Sequence, residues 1–303
     1  MKKNMKIGFI GLGTMGNPMV KTLLKAGYET LVYDISKEAV KKLIIEEGVK
    51  EAAILQIGRE CDFVITMLPN SQCVEEIVLG ESGLIHSLIS NKVLIDMSSS
   101  APQSTVKIAN SLKEKGIEML DAPVSGGPLK AADGTLTIMV GGDKEVFDRS
   151  YDILGALGEK IFYVGKTSAG HMVKAINNML YGTTLVATVE ALVLGAKAGI
   201  DLEKLVEVIS ASSGQCYAAS KVKRVVFPRN FKTGFATKLL NKDLEIALGM
   251  ARELNVPTII SSASQQIYKI ALNREGFAEL DNTIIFKLLE EIVGVKVEVK
   301  PKN

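Results

Sequence analysis

Three polar side chains lie on an otherwise apolar helical segment near the middle of the 303-residue chain. Lys174 and Asn178 are four residues apart, and His171 precedes Lys174 by three residues, so a helix places them on adjoining ridges. A lysine that borders a cleft can transfer a proton to or from a hydroxyl or carbonyl group. In the structural alternative, the Lys174 ammonium group extends to water and the Asn178 amide forms hydrogen bonds with neighbouring elements. The helix alone does not decide between the two roles.

A glycine-rich motif near the start of the chain indicates what such a lysine would act with. Residues 6–10 (KIGFI) form a short apolar run that predicts a strand, and helical spacing begins directly after the motif GLGTMG. In this order the first glycine permits the turn, the second lets a pyrophosphate approach the backbone, and the third lets the helix pack on the strand. We therefore expect the motif to bind a dinucleotide through Gly11, Leu12, Gly13, Thr14, Met15 and Gly16.

An acidic residue after the second predicted strand bears on which dinucleotide is bound. Asp34 lies 34 − 11 = 23 residues after Gly11, where a carboxylate accepts hydrogen bonds from ribose hydroxyl groups and repels a 2′-phosphate. The sequence therefore favours NAD over NADP. Lys37 keeps NADP open, because its charge would partly offset that repulsion.

Composition narrows the class of protein. With 36 basic and 34 acidic side chains the net charge is only +2, so we expect neither nucleic acid nor a membrane surface as a partner. Cys61, Cys73 and Cys216 are widely spaced, which is typical of a reduced cytosolic protein. His86 and His171 are the only histidines, so we expect no metal site. The first apolar run is too short for a signal peptide, and we expect a cytoplasmic location.

Hydrophobic periodicity divides the chain into two parts. Predicted strands alternate with helices up to residue 165, which indicates an α/β Rossmann-type domain over residues 1–165. Residues 166–303 have helical periodicity almost throughout, beginning with one long helix at about 167–198. We expect this long helix to be an interdomain hinge that joins the Rossmann-type domain to an all-α domain.

Three segments follow predicted strands, where open α/β sheets bind their ligands. Leu68 and Pro69 end the strand at 63–68, and Ser99 follows the strand at 93–96. A third segment, DAPVSGGP at 121–128, offers the Ser125 hydroxyl and unhindered backbone donors to a carboxylate. The alternatives are a proline that simply ends a strand and a tight loop without a ligand.

Four segments together resemble the signature motifs of the β-hydroxyacid dehydrogenase family. They are GFIGLGTMGNPM at 8–19, DAPVSGGP at 121–128, GHMVKAINN at 170–178 and LLNKDL at 239–244. The resemblance covers essentially the whole chain in the family's order. It implies NAD-dependent, reversible oxidation of a small 3-hydroxy acid to a semialdehyde, by a homodimer or homotetramer assembled through the helical domain.

The resemblance also implies residue roles. Lys174 matches the family's catalytic lysine, acting as general base in oxidation and general acid in reduction. Matches to substrate-binding positions are Ser99, Ser125, Gly126, Gly127 and Asn178. Besides the glycine motif and Asp34, matches to cofactor-binding positions are Leu68, Pro69, Ser99 and Lys242. Ser99 stands where the family frequently has threonine, so it keeps the hydroxyl and lacks the methyl group. Phe235 and Asp243 match active-site positions of some members, and we expect His171 to flank the site rather than carry the proton.

The substrate is the most open question. Candidates are 3-hydroxyisobutyrate, 2-(hydroxymethyl)glutarate, glycerate with tartronate semialdehyde, and 4-hydroxybutyrate with succinic semialdehyde. The alternative direction is reduction of one of these semialdehydes or of 2-formylglutarate. A basic group from Lys221 or Lys223 would favour a dicarboxylate. A remote alternative is a non-catalytic dinucleotide-binding module.

Overall fold

A computed structural model describes residues 5–232 and 234–299 of the chain. The chain divides into two compact units, a first unit that ends at Lys174 and a second unit that begins at Ala175. Each unit contains its own buried hydrophobic clusters. The division falls within a helix, and the domain boundary between residues 165 and 166 stays a prediction from the sequence.

A nine-stranded sheet, counted over the described residues, forms the centre of the first unit. Its strands are β1 (Lys6–Ile10), β2 (Glu29–Tyr33), β3 (Lys50–Glu51), β4 (Phe63–Thr66), β5 (Val93–Asp96), β6 (Glu118–Asp121), β7 (Val124–Ser125), β8 (Leu136–Gly142) and β9 (Gly158–Gly165). The first six strands are parallel, in the order β3-β2-β1-β4-β5-β6. This is the strand order of a doubly wound dinucleotide-binding sheet, which binds ligands at its carboxyl edge. Strand β8 is antiparallel to β6 and β7 and parallel to β9.

Consecutive residues of the central strands enter hydrophobic clusters on opposite faces of the sheet. Phe9 of β1 and Ile65 of β4 belong to one cluster, and Ile10 and Val64 belong to the other. All four side chains are almost completely buried. Such continuous apolar strands are typical of a parallel sheet that is covered by helices on both faces.

Seven helices connect the strands of the first unit within the described residues. They are α1 (Gly16–Lys25), α2 (Lys37–Glu47), α3 (Ile54–Glu60), α4 (Ser71–Leu79), α5 (Pro102–Lys113), α6 (Gly127–Asp133) and α7 (Lys144–Leu157). Ser36, Asn70 and Asp143 begin α2, α4 and α7, and each accepts a hydrogen bond from a backbone N–H of the first turn. The sequence did not predict α6, because its seven residues are too few to show a helical period.

The second unit is helical. The long helix α8 (Ala169–Lys197) begins in the first unit and continues into the second. It is followed by α9 (Leu202–Ala211), α10 (Tyr217–Lys221), α11 (Thr237–Glu253), α12 (Ile259–Leu272) and α13 (Phe286–Val293). A π-helical turn (Val222–Val226) follows α10, and a 3-10 turn (Asn282–Ile285) precedes α13. Asp281 is the N-cap of this turn, and its carboxylate accepts the Thr283 N–H.

The core of the second unit lies around the middle of α8. Leu185 of α8, Leu240 and Leu244 of α11, and Tyr268 of α12 belong to one buried cluster. The Tyr268 hydroxyl donates a 2.8 Å hydrogen bond to the Gly182 carbonyl within α8. The expected fold class, a Rossmann-type domain followed by an all-α domain, is confirmed.

Helix α8 is the one helix among residues 5–232 and 234–299 that is long and apolar enough to cross a membrane by length and composition. Core helices of soluble proteins meet the same criteria. In this structure, 44% of the residues in its most apolar window are buried against other parts of the chain. The fold therefore accounts for much of the apolar character of α8.

Candidate active site

Two glycines of the motif are required by the packing of the chain itself. Gly11 directly follows β1 with a φ of 102°, and a Cβ atom there would collide with the Met67 carbonyl oxygen. Gly16 is the first residue of α1, and a Cβ atom there would collide with the Gly11 carbonyl oxygen. These two positions hold the helix close to the ends of β1 and β4.

The second glycine of the motif has a different environment. A Cβ atom at Gly13 would meet no protein atom within 4 Å, so the fold does not require glycine there. At Met15, the N-cap of α1, no side-chain hydrogen bond closes the first turn, and that turn contains no acidic residue. Open space beside the N-terminus of a ten-residue helix fits the pyrophosphate of a dinucleotide. The glycine motif therefore fits the cofactor that the sequence predicts.

A pair of substitutions tests this difference between the glycines. We expect Gly13→Ala to keep the thermal stability of the wild type and to weaken NADH binding by roughly tenfold, about 1.4 kcal/mol, because the new methyl group occupies the space of the pyrophosphate. Gly16→Ala should instead destabilise the protein by about 1–3 kcal/mol through overpacking. NADH fluorescence titration and thermal unfolding measure the two effects. Wild-type NADH affinity in Gly13→Ala would contradict the assignment.

Asp34 lies directly after β2, beside the glycine motif. Its carboxylate accepts hydrogen bonds from the Leu12 N–H at 2.6 Å and from the Ser36 N–H at 2.7 Å. These two bonds fix the carboxylate at the carboxyl edge of the sheet. Asp34 is therefore held next to the backbone that would contact the dinucleotide.

Lys37, the residue that kept NADP open, forms an ion pair with the neighbouring edge strand. Its Nζ lies 2.5 Å from Glu51 Oε1 on β3 and 5.8 Å from the centre of the Tyr33 ring. The hydrogen bond to Glu51 raises the pKa of Lys37. Glu51 therefore balances the charge that would otherwise offset the repulsion from Asp34.

The segments after β4 and β5 are bonded to each other through a buried carboxylate. Asp96 Oδ1 accepts from Thr66 Oγ1 at 2.9 Å and from the Ser98 N–H at 3.0 Å, and Oδ2 accepts from Ser100 Oγ at 2.8 Å. Ser98 Oγ in turn accepts the Leu68 N–H at 2.9 Å. The predicted cofactor-contacting segments are therefore held side by side at the carboxyl edge.

Ser99 differs in exposure from the serines on either side of it. Ser98 and Ser100 are buried, whereas Ser99 is half-buried. Leu68 is half-buried and Pro69 is exposed. The three predicted positions are therefore more accessible than the side chains that hold their backbone in place.

The segment expected to bind a carboxylate is part strand and part helix rather than a plain loop. Ser125 is the last residue of β7 and pairs with β8, and Gly127 is the first residue of α6. The φ angles of Gly126 and Gly127 are 137° and 73°, a region that favours glycine. A Cβ atom at Gly127 would meet no protein atom within 4 Å. The backbone at Gly127 thus borders open space, two residues after the half-buried Ser125.

Helix α8 begins at the carboxyl ends of β5 and β6. The backbone N–H groups of Ser168 and His171 donate to the carboxylate of Asp121, the last residue of β6, at 2.8 and 2.9 Å. Lys174 lies three residues after His171 and is half-buried. Its helix therefore starts at the same edge of the sheet as the glycine motif.

His171 is buried, and both of its ring nitrogens contact protein groups. Nδ1 lies 2.7 Å from Thr105 Oγ1, and Nε2 lies 3.1 Å from the Ser98 carbonyl oxygen. The motif at 121–128 contained Asp121 without indicating that it holds the start of α8, and no motif contained Asp96. The available signal was that each aspartate is the last residue of a strand, VLID for Asp96 and EMLD for Asp121.

In the second unit, the predicted amide lies in a buried polar group. Asn178 Nδ2 donates a 2.6 Å hydrogen bond to Asp243 Oδ2, and the Asn177 amide donates to Asn178 Oδ1 at 3.0 Å. Lys242 Nζ lies 3.0 Å from Asp243 Oδ1. Asp243, whose role the sequence left open, therefore contacts both Asn178 and Lys242.

The basic residues suggested for substrate selectivity are engaged in ion pairs. Lys221 Nζ lies 3.0 and 2.9 Å from the two carboxylate oxygens of Asp281, and both side chains are buried. Lys223 Nζ lies 3.3 Å from Glu207 Oε1 on the surface. Phe235, another open position, donates its backbone N–H to Asp281. The structure thus gives Lys221 a structural partner and does not present it as an accessible basic group.

Family models and known proteins match almost the whole chain. Residues 6–165 match the family described as the NAD binding domain of 6-phosphogluconate dehydrogenase, and residues 168–289 match the family described as NAD-binding of NADP-dependent 3-hydroxyisobutyrate dehydrogenase. The chain is 40% identical to 2-(hydroxymethyl)glutarate dehydrogenase of Eubacterium barkeri, covering 98% of this chain and 99% of that protein. It is 36% identical to the NAD-dependent L-serine dehydrogenase of Pseudomonas aeruginosa, with 95% and 99% covered. A structure of Mycobacterium tuberculosis 3-hydroxyisobutyrate dehydrogenase with L-serine aligns with a TM-score of 0.86 and 31% identity, covering 95% of this chain and 99% of that one.

Proposed function

The chain belongs to the β-hydroxyacid dehydrogenase family, enzymes that act on CH–OH groups with NAD(P), and we propose that it oxidises a small 3-hydroxy acid reversibly to the corresponding semialdehyde with NAD. One observation carries the proposal. The glycine motif with open space at Gly13, and the helix that bears Lys174, both start at the carboxyl edge of one doubly wound sheet. This supports a site at which a dinucleotide would accept the hydride and Lys174 the proton at one edge of the sheet.

The proposed chemistry assigns a separate task to each group of residues. A bound NAD would supply the acceptor for the hydride that leaves the carbon bearing the hydroxyl group. Lys174 accepts the hydroxyl proton in oxidation and returns it in reduction. The Ser125 hydroxyl and the Gly126 and Gly127 backbone bind the substrate carboxylate, with Ser99 and Asn178 as further substrate contacts. In this proposal the cofactor is held by Gly11, Leu12, Gly13, Thr14, Met15, Gly16, Asp34, Leu68, Pro69, Ser99 and Lys242.

NAD is the proposed cofactor because two acidic residues act on the adenosine end of the site. Asp34 carries a fixed carboxylate where a 2′-phosphate would come close. Glu51 is paired with Lys37, the basic residue that follows Asp34 on α2. Together they leave a 2′-phosphate facing a net negative charge.

A rate panel tests the proposal. The acids are 3-hydroxyisobutyrate, 2-(hydroxymethyl)glutarate, glycerate, 4-hydroxybutyrate and L-serine, each with NAD and with NADP, and the absorbance of the reduced cofactor gives the rate. We expect at least one acid to be oxidised with NAD, and kcat/KM with NADP to be lower by at least about tenfold, or about 1.4 kcal/mol. Equal kcat/KM with both cofactors would contradict the proposed role of Asp34. Inactivity with every acid would contradict the proposed substrate class.

Among the acids of the panel, 2-(hydroxymethyl)glutarate is favoured by the 40% identity to a dehydrogenase named for it. In the reverse direction the enzyme would then reduce 2-formylglutarate. For glycerate and 4-hydroxybutyrate, the reverse reactions would be reduction of tartronate semialdehyde and of succinic semialdehyde. Because Lys221 is paired with Asp281, recognition of a second carboxylate by Lys221 loses support. Membership of an enzyme family likewise removes support from a non-catalytic module.

We also propose a cytoplasmic homodimer or homotetramer that assembles through the second unit. Large apolar side chains are exposed on its helices, among them Leu180 and Leu194 of α8 and Ile259 and Ile260 of α12. Apolar surface of this kind is typical of subunit interfaces. Sedimentation velocity measures the assembly, and a monomer at all concentrations would contradict this part of the proposal.

A further inference from the structure

Three ionisable side chains that the proposed chemistry does not use lie together at the carboxyl ends of β5 and β6. Asp96 and Asp121 are paired in register on the two strands. His171 Nε2 lies 3.6 Å from Asp96 Oδ2, and Nδ1 lies 3.8 Å from Asp121 Oδ2. All three side chains are fully buried. Buried ionisable groups persist only where partner groups stabilise them. We call Asp96, Asp121 and His171 together the α8 tether.

Asp121 fixes the backbone at the start of α8. Its two oxygens accept the N–H groups of Ser168 and His171, which would otherwise lack partners in the first turn of the helix. Ser168 has a φ of 74°, a conformation uncommon for a residue other than glycine. A Cβ atom at Gly170 would collide with the Met139 and Asp121 carbonyl oxygens, so this turn presses directly on β6 and β8. The first turn is thus fixed by hydrogen bonds and by close contact.

Groups at the start of α8 partly offset the cost of burying Asp121. Burial raises the pKa of Asp121, while the backbone N–H groups of His171 and Ser168 that bond to its carboxylate act in the opposite direction. A carboxylate at a helix N-terminus also complements the helix dipole. The N–H donors and the dipole at the start of α8 therefore stabilise this buried carboxylate.

The His171 ring connects α8 to two further elements. The Ser98 carbonyl oxygen can only accept, so the 3.1 Å contact assigns a hydrogen to Nε2. In the neutral ring, Nδ1 then accepts from the Thr105 hydroxyl of α5 at 2.7 Å. The ring thereby ties the first turn to α5 and to the segment after β5, which Asp96 holds in place.

The tether lies one helical turn before Lys174. Three residues separate His171 from Lys174, a rise of about 4.5 Å along the axis, and the two positions are on the same side of the helix. A shift or rotation of the tethered turn therefore moves the Lys174 backbone with it.

We propose that the α8 tether positions Lys174 for proton transfer, with His171 and Asp121 as positioning residues. The inference rests on the proton-transfer role of Lys174 in the proposed function. In this view Asp96 acts indirectly, since it fixes the Ser98 segment that the His171 ring contacts.

Substitutions at His171 test the inference with the fastest acid of the panel. A misplacement of about 1 Å can cost 10²-fold in rate, so we expect His171→Ala to lower kcat by roughly 10²-fold while KM and the Kd of NADH change by less than about threefold. His171→Gln keeps a donor that can reach the Ser98 carbonyl, and should recover kcat to within about tenfold of the wild type. Wild-type kcat in His171→Ala would overturn the inference.

A matched control separates positioning from loss of stability. Lys92 is buried at the opposite, amino-terminal end of β5, where its Nζ donates to the carbonyl oxygens of Gly58 and Arg59 at 2.8 and 2.5 Å. Lys92→Met should destabilise the first unit and leave kcat within about twofold of the wild type below the unfolding transition. If Lys92→Met and His171→Ala lower kcat equally, the effect is general destabilisation and the inference fails.

Amide hydrogen exchange distinguishes failure of this inference from failure of the proposed function. Faster exchange at residues 168–174 of His171→Ala, with the rest of the first unit unchanged, is expected because the first turn of α8 loses its ring contacts to Thr105 and to the Ser98 carbonyl. Unchanged exchange there would refute the tether itself. If Lys174→Ala instead retains turnover, Lys174 does not transfer the proton and the proposed function fails. The positioning role then fails too, even if hydrogen exchange at residues 168–174 becomes faster as expected.

Discussion

Replacing Lys174 by alanine is expected to lower kcat by roughly 10²–10⁴-fold and to leave NADH affinity nearly intact, because general acid–base catalysis contributes a factor of that size. The lysine is proposed to move the hydroxyl proton, whereas the glycine motif and Asp34 hold the dinucleotide. Steady-state rates and NADH fluorescence titration measure the two properties separately. Retention of most turnover would remove Lys174 from the mechanism.

Two further variants sharpen this experiment. Lys174→Arg keeps a positive charge but cannot give up its proton, so it should be nearly as inactive as Lys174→Ala. The matched control is Lys197→Ala, the same substitution at the other end of α8, where Nζ donates to the Val293 carbonyl at the surface. Lys197→Ala should keep the wild-type kcat. Substantial activity in Lys174→Arg would indicate a purely electrostatic role.

Asp281→Asn is expected to lower the free energy of unfolding by about 3–5 kcal/mol, because it leaves the Lys221 ammonium group buried without its carboxylate. The Asp281 carboxylate also accepts the Thr283 hydroxyl at 2.7 Å and the backbone N–H groups of Thr283 and Phe235. One side chain therefore holds α10, the segment before α11 and the turn before α13. Urea and thermal unfolding followed by circular dichroism measure the loss.

The control for Asp281→Asn lies two residues earlier in the chain. Glu279 pairs with Lys238 at 2.6 Å, but both side chains are at least half exposed. Exposed pairs contribute about 0–1 kcal/mol, so Glu279→Gln should change stability little. The double variant Lys221→Met/Asp281→Asn should be more stable than Asp281→Asn, because no unpaired charge is then buried. Equal stability of Asp281→Asn and Glu279→Gln would show that the buried pair is not the cause.

The sequence predicted those features that depend on local spacing. The strand, glycine motif and helix at the start of the chain follow from residues that are close in sequence, and so do the bounds of α8. Helix α6 was missed because seven residues are too few for periodicity, and β7 because two residues are too few for alternation. Local patterns thus identified the long elements and omitted the short ones.

The contacts that hold the candidate site depend on residues far apart in the chain. His171 meets Asp121 fifty residues earlier, and Asn178 meets Asp243 sixty-five residues later. Lys221 was open to a role in selectivity until the structure placed Asp281 beside it, sixty residues away. Such pairs follow from which strands and helices are neighbours in space, and a single sequence does not give that information.

The continuity of α8 also bears on how this chain can tolerate length changes. Lys174 and Asn178 lie on either side of the division between the units, within one uninterrupted helix. Inserting or deleting a single residue between them would rotate everything that follows in the helix by about 100° relative to what precedes it. The spacing of four residues between Lys174 and Asn178 must therefore stay constant. Insertions and deletions can be absorbed in the turns after Lys197, but not between these two residues.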